Sequence, residues 1–530
     1  MIKVALSENR GSGFRWFSGE AVFVKGYLFT SEGQLCEGES LLSYFRDITG
    51  HDDFLSRLAR ATGLFSVVVS RDDEVFAATD AARAFPLFYC KKDDAFYISD
   101  TPTLLLDDDK PLPLNDRAVL QFEAIGYVLG RDTLLKGVYQ AQAQEALRFG
   151  GGGVSRQFYK EMDGAVSTRS KEQLKADFRQ MIARLSDRLV KQLAGRPVLL
   201  PLSGGNDSRL LALMLKEANY ENVLCFTYGA SDTPEKENAR KSAEALGFKW
   251  LFIDYSEYAG QDVMASEAFR EWMGFASNFS SFFYFQEYLA AYHLKTKGLV
   301  PDNAVFIPGH SADVVAGSYM ISGMDKMTDL RSYTRYASMK NVNLRALSRK
   351  EQTALNEDIE ATMRYYNKGE SNAGYTLYEK WQVRERQPKQ IVNSSKIWDF
   401  FGHQYLLPFW DEMFTSFFFA LPYPYKISKN FYVETVWEMF SERGILFESE
   451  SRISRSAEKK QRVKLWLTKV PFFSLFLQRR DLWQSDFSGI RLFSDRVCLD
   501  LKRAGKYKKI RHRNGLLSAW YLLYIDKKVD

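Results

Sequence analysis

A chain of 530 residues that is 45% hydrophobic and 15% aromatic is long enough for two domains with sizeable cores, and no apolar run reaches the ~18 residues that cross a bilayer. The four cysteines form no CxxC pair, the five histidines are dispersed and the start lacks a signal-peptide pattern, so we expect a cytoplasmic protein with free thiols and no zinc site. The net charge of +6 is uneven, because residues 452–513 carry 18 Lys and Arg against 5 Asp and Glu, which indicates an anionic partner or surface near the C-terminus.

The first part of the chain, residues 1–165, is predicted to be mixed β structure with helices. Runs rich in β-branched and aromatic residues predict strands at 21–29, 63–70 and 75–78, and a hairpin over 85–99. Four consecutive glycines at 150–153 form a turn that closes this region. We expect an antiparallel β sandwich with helices.

The second part, residues 170–450, alternates strands and helices after a long amphipathic helix at 171–194. Strands are predicted at 198–202, 222–228, 249–254 and 304–308, and helices at 207–218, 234–247 and 279–296. This alternation is typical of a doubly wound parallel sheet with helices on both faces. From about 325 the chain is predicted to be mainly helical, and residues 451–530 form a basic, aromatic C-terminal extension.

One loop in this part has the composition of a phosphate-binding site. It comprises residues 203–208, follows an apolar strand and opens a helix. Its backbone N–H groups and the helix N-terminus favour a multiply charged phosphate, and Gly204 and Gly205 allow the backbone to approach an anion. Ser203 and Ser208 supply hydroxyls, whereas Asp207 would repel phosphate unless Mg²⁺ lies between them. No Lys follows the glycines, so this is not a Walker loop.

The loop resembles the SGGxDS pyrophosphate loop of the ATP pyrophosphatase superfamily, and further segments resemble the asparagine synthetase family. Strand 224–229 is similar to the family's adenosine-binding strand, and residues 309–313 (Gly-His-Ser-Ala-Asp) to its second pyrophosphate-side motif. Residues 402–411 resemble its Pro-Phe-Leu-Asp segment. The form of these motifs is most similar to members that act in surface-polysaccharide synthesis. The resemblance implies ATP and Mg²⁺ as cofactors and an AMP-forming amide ligase that activates a carboxylate as an acyl-adenylate.

The resemblance also implies roles for individual residues. Asp207 and Asp313 would share Mg²⁺, while Thr227 and Tyr228 would flank the adenine and Gly309 would permit close approach to the nucleotide. The nucleotide-binding candidates are Leu202, Ser203, Gly204, Gly205, Asp207, Ser208, Thr227, Tyr228 and Gly309.

The chain departs from the family pattern at its catalytic positions. His310 stands where the family has a Glu that handles the amine, and imidazole can take over such a task or be a structural loop histidine. Lys429 and Lys459 are candidates for the family's late Lys, against the commoner alternative of solvated surface charges.

The N-terminal region resembles the family's glutaminase domain at residues 64–67, 80, 86–89 and 99–100. That domain acts through an N-terminal Cys, but position 2 here is Ile, so we expect no glutamine hydrolysis. Ammonia would then come from solution or from a separate protein.

Several functions remain open at this point. The first is amidation of a uronic acid-type sugar, linked to a nucleotide or lipid, in polysaccharide (O-antigen) assembly. The alternatives are a peptide or intramolecular amide-former like the β-lactam synthetases and lasso-peptide cyclases, a tRNA-modifying enzyme, and a non-catalytic scaffold. The glutaminase-like region argues against a nucleic acid substrate. Three interpretations of the basic extension stay open: it binds a nucleotide-sugar diphosphate, it makes peripheral contact with an anionic membrane, or it is a solvated helical face beside a core strip.

Overall fold

The architecture follows from a computed structural model, which describes residues 1–8, 11–106, 113–162, 165–230, 234–327, 329–367, 374–447 and 489–529. The N-terminal part contains two facing sheets. Its strands are β1 (Ile2–Ala5), β2 (Trp16–Gly19), β3 (Val22–Phe29), β4 (Leu35–Glu37), β5 (Thr62–Arg71), β6 (Glu74–Thr79), β7 (Phe88–Lys92), β8 (Ala95–Ser99), β9 (Val138–Gln140), β10 (Glu145–Gly150) and β11 (Gly153–Phe158). Its helices are α1 (Glu39–Arg46), α2 (His51–Ala59) and α3 (Asp116–Ile125), with a 3₁₀ turn at Pro102–Leu105.

The larger sheet is antiparallel in the order β11-β10-β6-β5-β3-β2, with β4 paired to β3. The smaller sheet has the order β1-β8-β7-β9, and β1 is parallel to β8. Successive side chains of a strand face opposite sides, so Val67 and Val69 of β5 join the core shared with α1 and α2, while Val68 joins the core between the sheets. The predicted sandwich is therefore confirmed, and its central strand is buried on both faces.

The second part is built on a five-stranded parallel sheet. Its strands are β12 (Val198–Pro201), β13 (Val223–Gly229), β14 (Lys249–Asp254), β15 (Val305–Phe306) and β16 (Gln404–Tyr405), in the order β14-β13-β12-β15-β16. The helices up to β15 are α4 (Lys171–Leu193), α5 (Asn206–Glu217), α6 (Pro234–Ala245), α7 (Glu267–Ser277) and α8 (Tyr288–Thr296). The strand order reverses between β12 and β15, and ligands of such sheets bind at this point, at the carboxyl ends of the strands.

The remainder of the described chain is mainly helical, as predicted. The helices are α9 (Ala312–Val315), α10 (Leu330–Asn341), α11 (Arg349–Tyr366), α12 (Gly374–Trp381), α13 (Lys396–Phe400), α14 (Glu412–Phe419), α15 (Tyr423–Lys426), α16 (Asn430–Glu442), α17 (Asp495–Arg503) and α18 (Arg513–Val529). Short 3₁₀ turns lie at Tyr255–Tyr258, Val263–Ala265, Met324–Lys326, Pro408–Trp410, Ile427–Lys429, Ile490–Phe493 and Tyr507–Lys509. Residues Gln382–Val392 form a π-helical stretch that contains Pro388.

The helix predicted at 279–296 is wrong over its first half, because only Tyr288–Thr296 is helical. Asn278 and Phe279 have positive φ angles of 42° and 51°, which end α7. The next residues pair with the N-terminal part: Tyr127 and Ser281 form a β-bridge, and Val128 N–H donates to the Ser280 carbonyl (2.8 Å). Backbone pairing between the two parts thus replaces the helix that the apolar pattern predicted.

Candidate active site

The pyrophosphate-type loop, residues 203–208, lies at the carboxyl end of β12 and leads into α5. The Ser208 hydroxyl accepts from Ser203 N–H (3.0 Å) and lies 3.0 Å from the Ser203 hydroxyl, and Gly205 N–H donates to that same Ser203 oxygen (3.2 Å). The two serines therefore hold the loop in shape, in addition to the donor role that the sequence indicates.

Helix α5 has Gly205 at its N-cap and no side chain that caps its first turn. The first N–H groups of a helix have no partner within the helix, and most helices satisfy some of them with a capping side chain, as Ser170 does for α4. The first turn of α5 therefore presents backbone donors and the positive end of the helix dipole where the two central strands end, which suits a phosphate.

Asp207 and Asp313 meet beside this turn. Asp207, in the first turn of α5, accepts a hydrogen bond at Oδ2 from Asp313 N–H (3.1 Å), so the segment after β15 is tied to the loop after β12. Its Oδ1 accepts from the Tyr432 hydroxyl (2.9 Å). Burial, together with the charge of Asp313, raises the pKa of Asp207 to about 7. A divalent cation between the two carboxylates would keep both of them ionised.

The pair suits Mg²⁺ in particular. Mg²⁺ is commonly held by one or two carboxylates plus substrate phosphates and waters. Among the described residues, no group of three His, Cys, Asp or Glu side chains forms a metal cage. Asp207 and Asp313 would hold the ion on the protein side, and the nucleotide would supply the remaining ligands.

The structure brings one of the two candidate lysines to this point. Lys429 has a left-handed backbone conformation (φ 55°) immediately before α16, and its Nζ lies 3.8 Å from Asp313 Oδ2. Its side chain is 28% exposed, so the ammonium can also reach an anion in the site. Lys459 lies outside the described residues.

His310 also lies at this edge of the sheet. Its Nδ1 is 3.0 Å from the hydroxyl of Ser395, which immediately precedes α13. Burial lowers the pKa of His310 to about 4, so the imidazole is neutral at physiological pH. A neutral imidazole can accept a hydrogen bond from an amine, which a charged one cannot do.

Gly204 and Gly309 lie against protein backbone. A Cβ on Gly204 would meet the Glu235 backbone at 2.9 Å, and one on Gly309 would meet Ser208 N at 2.8 Å. The two glycines therefore allow stretches of protein backbone to approach each other, and their approach to a nucleotide stays a prediction. At Gly205 the nearest atom is the Ser203 hydroxyl, at 3.2 Å.

The residues expected on the adenine side are partly engaged with protein. The Thr227 hydroxyl donates to the Leu202 carbonyl (2.7 Å) and joins the ends of β12 and β13. The Tyr228 ring stacks on Tyr255 with centroids 5.6 Å apart, and its hydroxyl donates to Glu287 (3.3 Å). One face of Tyr228 is therefore committed to the protein.

The sequence analysis did not identify the residues that hydrogen-bond to the 203–208 loop from the protein interior. Arg209 is fully buried, and its guanidinium donates to the Gly205 carbonyl (3.2 Å) and the Asn206 side chain (3.2 Å). Trp437 Nε1 donates to the same Asn206 oxygen (3.1 Å), and Tyr432 holds Asp207. Trp437 and Tyr432 lie on α16, more than 220 residues beyond the loop, where helical periodicity alone does not separate them from core residues.

A parallel sheet with an uncapped phosphate-type loop and two acidic residues at its switch point has the geometry of a phosphate-binding site. Residues 181–438 match the family model for asparagine synthase. The match covers just under half of the chain, so this segment is similar to an asparagine synthase domain.

Other comparisons are weaker. An NH3-dependent NAD synthetase from Campylobacter jejuni is similar at 17% identity and TM-score 0.20, over 43% of this chain and 95% of that one. A glutamine phosphoribosylpyrophosphate amidotransferase from B. subtilis is similar at 11% identity and TM-score 0.18, over 68% of this chain and 76% of that one. No curated protein matches the chain in sequence. No helix among the described residues is long and apolar enough to cross a membrane.

Proposed function

We propose that the chain is an AMP-forming carboxylate–amine ligase. A substrate carboxylate oxygen attacks the α-phosphorus of ATP and pyrophosphate leaves; ammonia then attacks the acyl carbon and AMP leaves, giving a carboxamide. The observation that carries this proposal is the meeting of Asp207 and Asp313 beside the uncapped turn of α5. Negative charge builds on the leaving pyrophosphate, and oriented donors and cations stabilise such charge most effectively.

Each residue of the site has a task in this reaction. The N–H groups of the first turn of α5 bind the pyrophosphate, and Lys429, 3.8 Å from Asp313, adds a mobile positive charge. Mg²⁺, held by Asp207 and Asp313, would neutralise charge on the phosphates. Neutral His310 orients the amine, and Ser395 fixes its ring through Nδ1.

The acyl substrate we propose is a uronic acid-type sugar on a nucleotide or lipid diphosphate, amidated during surface-polysaccharide (O-antigen) assembly. Two sequence features support it: the form of the motifs, and the excess of Lys and Arg in residues 452–513, which suits a diphosphate carrier or an anionic lipid surface. Ammonia would come from solution or from a separate protein.

The test is pyrophosphate release from Mg·ATP with ammonium and a panel of carboxylates: aspartate, free uronic acids and UDP-linked uronic acids. We expect release with a uronic acid, and its amide by mass spectrometry. Asp207→Asn should lower the rate by at least about a hundredfold, since one charge is lost from the cradle. Asp302→Asn is the matched control, because the Asp302 side chain is 99% exposed before β15. Equal rates in the two variants would contradict the role of Asp207, and release with aspartate alone would contradict the sugar substrate.

A further inference from the structure

A cavity away from the candidate active site lies between the N-terminal sheets and the second part of the chain. It has a volume of about 910 Å³, and no residue of the 203–208 loop lines it. Its floor includes Lys25, Phe85, Lys396 and Asp399, and its walls come from α7 and α18. The cavity is large enough for a small organic molecule.

Two lysines on this floor are buried but unpaired. Lys25 is 4% exposed and Lys396 is 6% exposed. Within the described chain, neither ammonium nitrogen has a hydrogen-bond partner or a carboxylate within 4.0 Å; Lys25 only lies over the Phe85 ring, 5.4 Å from its centroid. Buried charges in proteins are almost always paired, so two unpaired lysines in one cavity need a physical explanation.

The other buried lysines of the chain show the usual solution. Lys389 Nζ lies 2.7 Å from Glu385, and Lys426 Nζ lies 2.9 Å from Glu379. Lys396 differs from both because it lines a cavity and, among the described residues, has no carboxylate within 4.0 Å. A neutral amine needs no counter-ion, and this form explains why Lys396 can remain unpaired at a buried position.

The charges around Lys396 favour the neutral form. Burial is the main cause that lowers the pKa of Lys396 to about 7, and the cations Arg83 and Lys25 add to it. Asp399 on its own helix and Asp100 after β8 oppose the shift. Glu267, Arg270 and Glu271 of α7 and Glu8 line the cavity as well, and the three α7 residues are exposed to solvent.

We propose that Lys396 is a nucleophilic lysine that forms a Schiff base with a small aldehyde or ketone bound in this cavity. The neutral amine nitrogen adds to the carbonyl carbon, both of its protons pass to the carbonyl oxygen, and that oxygen leaves as water to give the C=N bond without any change of oxidation state. Phe85, Phe275, Phe279, Tyr521 and Tyr524 line the cavity, so the carbonyl compound has an apolar or aromatic body. The site is independent of the ligase reaction proposed above.

The test is reductive trapping on the intact protein with benzaldehyde and sodium cyanoborohydride at pH 7, followed by peptide mass spectrometry. We expect benzylation of Lys396 at least about tenfold faster than at exposed lysines, because at pH 7 only a small fraction of ordinary lysine is unprotonated. Lys389 and Lys426 should also be labelled more slowly than Lys396, because each is buried against a carboxylate and neither lines the cavity. The rate at Lys396 should rise through pH 7 and then level, while exposed lysines keep rising toward pH 10.

Two variants complete the test. Lys396→Met should abolish the fast-labelled peptide, and Lys25→Met should slow labelling of Lys396 at pH 7, because loss of the neighbouring charge raises the pKa of the amine. Labelling of wild-type Lys396 no faster than of paired Lys389, or with the pH profile of an exposed lysine, would overturn the proposal even if a variant failed to fold.

Discussion

Asp207 shows how single residues define this site. Its two carboxylate oxygens take donors from Asp313, after β15, and from Tyr432, on α16, so two distant segments of chain fix one side chain. The carboxylate still has lone pairs free for a metal ion, because each oxygen accepts one protein donor. Orientation of the charge by Tyr432 is therefore as much a part of the site as the charge itself.

A substitution at Gly309 tests the contact between the 203–208 loop and the segment after β15. Gly309→Ala should lower pyrophosphate release at least about tenfold, because its Cβ would lie 2.8 Å from Ser208 N and push the loop after β15 away from Asp207. Gly153→Ala is the matched control, since a Cβ there meets nothing within 4 Å. Steady-state rates with circular dichroism as a check of folding measure the effect. Unchanged release in Gly309→Ala would show that the close approach is unimportant.

The buried carboxyl group of Glu287 should make the stability of the protein depend on pH. It is 9% exposed and accepts one hydrogen bond, from Tyr228, while its Oε2 has no partner among the described residues. Burial raises the pKa of Glu287 to about 7 from an ordinary value of 4.5. Between these two pH values the folded state holds a proton that the unfolded state releases. The stability that the protonated Glu287 contributes is therefore complete below pH 4.5 and is lost as pH rises through about 7.

We expect this carboxyl group to account for about 2–3 kcal/mol of stability lost between pH 4.5 and 8. Glu287→Gln should flatten the pH dependence of the unfolding midpoint, with denaturant unfolding at pH 5 and 8 as the measurement. Glu257→Gln, at an exposed position in the preceding 3₁₀ turn, should leave it as in wild type. A Glu287→Gln variant with the wild-type pH dependence would contradict the prediction.

At the scale of elements, the π-helical stretch Gln382–Val392 is held by a buried polar network. Lys389 Nζ donates to Glu385 (2.7 Å) and to the carbonyls of Val128 and Gly130 (3.0 and 2.8 Å), and Glu385 accepts from Gly130 N–H (2.9 Å). Pro388, which cannot donate a backbone hydrogen bond, lies inside the stretch and accounts for the departure from α-helical bonding. The network fixes this irregular element to the N-terminal part.

Loss of the Lys389–Glu385 ion pair should lower the free energy of unfolding substantially. Lys389→Met leaves Glu385 buried without its cation, and we expect a loss of about 3–5 kcal/mol in the free energy of unfolding. Arg364→Met removes an i,i+4 ion-pair partner from the solvent-facing side of α11, where the Arg364 side chain is 67% exposed, and should cost less than about 0.5 kcal/mol. Denaturant unfolding compares the two, and similar losses would show that the buried pair is not structural.

Local patterns predicted the regular elements well and the irregular ones poorly. The apolar periodicity of 171–194 and the strand run at 198–202 correspond to α4 and β12, because burial of one face or of a whole strand decides those elements. The run at 249–254 corresponds to β14, a half-buried edge strand. The π-helical stretch gives no such pattern, since the residues it buries include Glu385 and Lys389. The position of Tyr432 beside Asp207 depends on tertiary packing, which no local pattern contains.

At the scale of the whole molecule, the two parts share one continuous core rather than touching at a linker. Phe14 N–H donates to the Asp399 side chain (2.9 Å). A Cβ on Gly13 would lie 2.2 Å from the His403 backbone, so the two backbone segments are in direct contact there. Tyr521 of α18 packs against Phe122 of α3, with ring centroids 5.6 Å apart. An N-terminal part held this closely can support the second part without a reaction of its own.

Glutamine hydrolysis is the reaction at issue, and it needs a thiolate in reach of substrate. Cys36 and Cys225 are buried, burial raises their thiol pKa values, and no cysteine lines the cavity between the two parts. We therefore expect the purified protein to form no glutamate from glutamine above the rate of a heat-denatured sample, while ammonium supports pyrophosphate release. Coupled glutamate dehydrogenase detection measures the first and a pyrophosphate assay the second. Glutamate formed in step with pyrophosphate would mean that another nucleophile has replaced the thiolate, and the N-terminal part would then be an ammonia source rather than a support.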